Sequence, residues 1–86
     1  MVVSRTNVSP NENFGDGTWR VGTDIEPGLY WTETKGCYWA RLSGFSGTLA
    51  EIIANDNTSG PAYVTIIETD TGFESSRCEA WVPVED

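Results

Sequence analysis

The sequence predicts an all-β fold, a small antiparallel β-sandwich or barrel of six to seven short strands. Three observations carry that prediction. From Phe14 to Val82 the chain breaks into β-rich runs separated by turn pairs such as Asp16-Gly17, Pro27-Gly28 and Lys35-Gly36. Aromatic residues make up 12% of the 86 residues, with four Trp, three Tyr and three Phe. Large rings let so short a chain bury enough apolar area for a core. Two cysteines, Cys37 and Cys78, stand 41 residues apart, a spacing that suits a long-range staple in a small domain.

The elements follow in order. Residues 1–13 are mostly polar, with Asn7, Ser9, Pro10, Asn11, Glu12 and Asn13, and read as a flexible tail, linker or docking arm. Residues 14–86 read as one domain. Thr18 to Val21 is the first strand, with Trp19 and Val21 on one face. Pro27-Gly28 fits a type II turn, Pro fixing φ and Gly taking a positive one. Leu29 to Glu33 follows, with Leu29 and Trp31 on one face and Tyr30 and Thr32 on the other. Cys37 to Leu42 is the most strand-like run. It places Cys37, Trp39 and Arg41 opposite Tyr38, Ala40 and Leu42, with Arg41 towards the edge. Ser43 to Gly47 is a glycine-rich bend around Phe45.

Residues 48–54 support two readings. Thr48 and Glu51 are spaced as a capping box, and Leu49, Ile52 and Ile53 share a helical stripe. The preferred reading is one short helical turn, although Ile52-Ile53 equally suits a buried strand. Asn55 to Pro61 is a loop by composition. Ala62 to Glu68 is a β-branched strand, with Tyr63, Thr65 and Ile67 opposite Val64, Ile66 and Glu68. Phe73 to Ser76 and Cys78 to Val82 complete the set, and Pro83 ends the last strand.

Charge and missing residue types exclude several functions. The net charge is −8, from thirteen acidic and five basic residues. The basic residues Arg5, Arg20, Lys35, Arg41 and Arg77 are scattered, whereas nucleic-acid binding needs them clustered on phosphates. The same scatter disfavours an anionic membrane surface, and the acidity reads as solubility. After Met1 no apolar run is long enough for a signal peptide or a membrane span. The chain therefore reads either as a domain cut from a secreted parent or as a small protein reaching an oxidising exterior, as a virion component can.

The cysteines read as a disulfide, with two buried free thiols as the alternative. Closing this loop contributes about 4 kcal/mol by the chain-entropy argument. Zinc is excluded by the spacing and by the absence of any His. Without His, a Ser or Cys nucleophile lacks its usual base. Acid pairs such as Asp24 and Glu26, or Glu68, Asp70 and Glu74, arise by chance among thirteen acids. Asn55, Asp56 and Asn57 offer oxygen ligands for calcium, but turn chemistry is the favoured account. The expectation is therefore no enzyme, no metal and no cofactor.

The aromatics are the remaining resource. Tyr30-Trp31 and Tyr38-Trp39 each send neighbouring rings to opposite faces, while a sandwich core uses one face per sheet. The surplus points to an exposed aromatic surface, unless loops cover it. Trp19, Tyr30, Trp31, Tyr38 and Trp81 are the candidate contact residues.

The runs GDGTWRVGTDIEPGLYW (Gly15 to Trp31), CYWARLSGF (Cys37 to Phe45), IIANDNTSGP (Ile52 to Pro61) and FESSRCEAW (Phe73 to Trp81) are together rather specific. Their combination resembles a small disulfide-containing β-rich domain of undefined function, found in actinobacterial secreted proteins and lipoproteins and in their phages. The resemblance spans residues 14–82. It implies an extracytoplasmic setting and a Cys37–Cys78 bridge, and it carries over no catalytic residue. The expected function is a non-catalytic structural or protein-interaction module on an extracellular, cell-surface or virion exterior. Its partner is a protein or a surface polymer, with a homo-oligomer or capsid assembly as further forms. A carbohydrate-binding module and a phage decoration or tail protein are the alternatives.

Overall fold

The computed structural model describes residues 13–84. Seven strands follow one another: β1 (Gly17–Arg20), β2 (Gly28–Thr32), β3 (Cys37–Leu42), β4 (Ile52–Thr58), β5 (Ala62–Ile66), β6 (Gly72–Ser76) and β7 (Trp81–Pro83). One 3-10 turn, Leu49–Glu51, precedes β4. The tail expected over residues 1–13 lies outside the described residues except for Asn13.

The strands pair antiparallel in two sheets, ordered β1-β6-β3-β4 and β5-β2-β7. The all-β expectation holds, and of its two forms the chain adopts the two-sheet one. Phe14 and Trp81 exchange backbone hydrogen bonds of 3.1 and 2.7 Å. The stretch from Phe14 to Arg20 thus begins beside β7 and ends beside β6, so one run of chain serves both sheets.

Alternation decides which side chains meet between the sheets. Tyr30, Val64, Ile66 and Trp81 come from the three-stranded sheet, and Cys37 and Phe73 from the four-stranded one. Phe14 fills the centre. Its ring meets Trp19, Tyr30 and Phe73 edge-on at centroid distances of 5.7, 5.1 and 5.9 Å. Edge-on packing sets the positive rim of one ring against the negative face of the next. Trp39 stacks on Phe73 at 6.2 Å, and the Cys37–Cys78 disulfide is formed.

Polar groups close the corners. Buried Trp81 donates from Nε1 to Ser75 Oγ at 2.8 Å, and Ser75 donates to Asp16 Oδ1 at 3.0 Å. Asp16 also accepts from the Arg77 and Cys78 amides. These bonds hold Arg77 at φ 64°, a left-handed conformation that a long side chain seldom takes. At the far end Arg41 grips buried Asp70 with two hydrogen bonds, of 2.7 and 2.9 Å. Asp70 accepts a third from the Ile67 amide.

Three expectations are corrected. Asn55 to Thr58 is strand, not loop: among the described residues β4 is an edge strand whose backbone joins β3, and the side chains of Asn55, Asp56 and Asn57 are exposed. The helical reading survives only as the turn at Leu49–Glu51, because Ile52 is already extended. The capping box is not made. Thr48 forms no side-chain cap, and Glu51 accepts instead from the Ser46 amide at 2.9 Å.

Candidate functional site

Among the described residues no element covers the outer face of the three-stranded sheet. Inward positions of β2 and β5 are spent on Tyr30, Thr32, Val64 and Ile66, so the residues between them must point away. Trp31 lies opposite Tyr63 on one side and Val82 on the other. Leu29 lies opposite Thr65, and its carbonyl accepts from the Val84 amide at 2.8 Å. Large apolar side chains stand exposed here: Tyr63 at 62%, Ile67 at 44%, Leu29 at 39%, and Val82 and Val84 at 38% each. Trp31 is half-buried because its ring leans on Tyr63, with centroids 4.9 Å apart.

None of the outward strand positions, Leu29, Trp31, Tyr63, Thr65 and Val82, is charged. In a chain of net charge −8, such a face gains free energy when another surface takes it out of water.

The sequence-predicted contact aromatics separate into different places. Trp31 belongs to the exposed face. Tyr30 and Trp81 do not: they are 1% and 0% exposed, because their strand positions face the core. The Tyr30 hydroxyl donates to the Glu26 carbonyl at 2.7 Å. Burial, reinforced by the Glu26 charge, pushes its pKa up. Trp19 is half-buried against the core and donates from Nε1 to the Gly15 carbonyl at 3.0 Å. Tyr38 is half-buried on the outer side of the other sheet, its hydroxyl accepting from Asn55 Nδ2 at 3.2 Å. The contact list therefore loses Tyr30 and Trp81 and gains Tyr63, Leu29, Ile67, Val82 and Val84. The signal for those additions was the paired alternation Leu29/Trp31 and Tyr63/Thr65/Ile67, on the side that the core does not use.

A concavity of about 190 Å³ lies on the outer side of the four-stranded sheet, beneath residues 43–51. Leu42, Phe45, Leu49 and Ile52 line it with the carboxylates of Glu51 and Glu74. Phe45 covers Gly72 so closely that a Cβ there would strike the ring. Hydrogen bonding from Ser46 holds the Glu51 carboxyl below its ordinary pKa. Among the described residues no group of three or more His, Cys, Asp or Glu converges as metal ligands, and no helix is long and apolar enough to cross a membrane.

Known proteins resemble this chain along most of its length. A family model described as an Rv1352-like extracellular domain matches residues 11–82. The uncharacterized protein Rv1352 of Mycobacterium tuberculosis (strain ATCC 25618 / H37Rv) is 29% identical over 85 residues, covering 81% of this chain and 69% of its own length. The uncharacterized protein Mb1387 of Mycobacterium bovis matches with the same identity and coverage. No solved structure matches.

Proposed function

This chain belongs to the Rv1352-like extracellular domain family, and from that membership we propose that it is a non-catalytic interaction module that makes contact through the outer face of its three-stranded sheet. The observation that carries the reading is the uncharged apolar face of Leu29, Trp31, Tyr63 and Val82, flanked by Ile67 and Val84. A disulfide-tied core holds that face rigid, so little conformational entropy is lost on contact. The partner is an apolar protein surface on the cell exterior. A virion setting is a narrower form of the same proposal, tested by whether the chain sediments with particles.

Site-directed photocrosslinking in the source organism tests the face. A crosslinking side chain at Tyr63 or Val82 captures the partner, whereas one at Arg20, on the outer side of the other sheet, does not. Equal capture from both sides would remove the reading.

Carbohydrate binding is the second reading, and one observation favours it. Trp31 and the exposed Tyr63 form an adjacent ring pair, and aromatic rings can stack on the apolar faces of sugars. Titration with purified envelope polysaccharide, followed by Trp fluorescence, decides it. Saturable quenching that disappears in Tyr63→Ala supports sugar binding, and a flat titration excludes that polysaccharide class.

A further inference from the structure

We infer that the free edge of β5 pairs with β5 of a second copy of this chain, joining two three-stranded sheets into one continuous sheet. The inference goes beyond the contact-face reading and rests on the backbone rather than on that face.

Each sheet has two edges, and the chain treats the four differently. β7 is closed at Trp81 by Phe14. At the next outward-directed position it carries Pro83, which has no N–H to offer. β1 has only four residues, and the amide of its last residue, Arg20, is held by Asp24 Oδ2 at 2.9 Å. β4 is bulged where it meets Arg41 and Leu42, and it carries Asp56. Short strands, bulges, prolines and charges are the devices by which proteins keep sheet edges from pairing with other chains.

Within Ala62–Ile66 β5 carries none of them, and Pro61, at the outward-directed position just before it, limits the free edge on that side. In β2, the carbonyl of Leu29 faces β7. Since backbone groups alternate sides, Tyr30 faces β5 and pairs there with Val64. The N–H and C=O groups of Tyr63 and Thr65 therefore point to the open side, where no strand lies among the described residues. The next outward amide, that of Ile67, is occupied by Asp70, which ends the free edge cleanly.

Two features select a second copy as the occupant. The run from Thr58 to Ile67 has no charged residue in a chain of net charge −8, so two copies meet least repulsion along this strand. The register also closes on itself. With a two-fold axis at Val64, Tyr63 of each copy pairs with Thr65 of the other, and both residues exchange their hydrogen bonds. Such an isologous contact stops at two chains. It also sets the two apolar outer faces side by side.

Sedimentation of the full chain over a concentration series, reaching about 1 mM for a weak contact, tests the inference. The expected mass rises from 9.4 kDa towards twice that value. Thr65→Pro removes one edge N–H from each copy while leaving the β2 ladder intact. Loss of those two bonds should raise the dissociation constant roughly 30-fold. Tyr63→Lys, which puts a charge on the edge, should have the same direction. Trp31→Ser should leave the dimer in place while removing contact-face crosslinks, so failure of either reading shows separately. A monomer throughout would overturn the inference, as would a dimer indifferent to both edge variants. Hydrogen-exchange protection of the Tyr63 and Thr65 amides that does not change with concentration would also overturn it, because another part of the same chain would then occupy the edge.

Discussion

Asp70 shows how one polar side chain can organise an end of the fold. It is buried, and Arg41 Nε, Arg41 Nη2 and the Ile67 amide all donate to it. Removing either partner of such a pair strands the other's charge. Arg41→Ala should therefore lower stability by about 3 kcal/mol, measured by urea unfolding, and Asp70→Ala should do likewise. Glu51 acts locally and exposed. Its pKa is lowered by the Ser46 hydrogen bond, so the carboxylate form favours the folded bend. That contribution is present above the ordinary glutamate pKa of 4.5 and is lost as pH falls through the lower folded value. The Ser46 amide resonance should shift over that acid range in the wild type and not in Glu51→Gln.

At the scale of elements, Trp31 and Tyr63 form a directly opposed cross-strand pair. A double-mutant cycle to Ala should return a coupling of about 0.5–1 kcal/mol. A value near zero would mean that the rings meet without stabilising the sheet. Strands marked by alternation and by turn pairs were legible in the sequence: β2, β3, β5 and β6 fall within a residue or two of their expected places. β4 was not, because Asn55, Asp56 and Asn57 have the composition of a loop. They enter a strand because their backbone pairs with β3 while their side chains remain exposed. The face was half legible. Period-two alternation shows which residues travel together, as with Leu29 and Trp31. It does not say which set the core takes. That choice depends on Phe14 packing against Tyr30 and on Phe73 packing against Trp81 across the sandwich, contacts between elements that have no local signature. The Arg41–Asp70 pair was hidden for the same reason, its partners standing at a sequence separation of 29.

For the whole molecule, the disulfide is the largest single constraint. Cys37 opens β3, and Cys78 lies between β6 and β7. Cys37→Ser combined with Cys78→Ser should lose about 2–5 kcal/mol, a large share of the roughly 5–15 kcal/mol of a typical domain. Thermal unfolding with and without reductant measures it. An unchanged transition would show that the aromatic core alone suffices. The extracellular character of the family suits a domain that keeps this bond oxidised.

The Phe14–Trp81 pair has a mechanical consequence. The two segments run antiparallel there, so the chain passes Asn13 and Val84 on leaving in the same direction. Force applied between the two ends does not shear the sandwich. It peels, loading the Phe14–Trp81 hydrogen bonds from one end and the Val84–Leu29 bond from the other before the rest of β7 leaves β2. On the C-terminal side the peel runs only as far as Cys78, whose covalent tie to β3 bears the load from there. A domain held under tension by its two ends would yield only a few residues on its C-terminal side before the disulfide takes the load, whereas on its N-terminal side the covalent limit is Cys37.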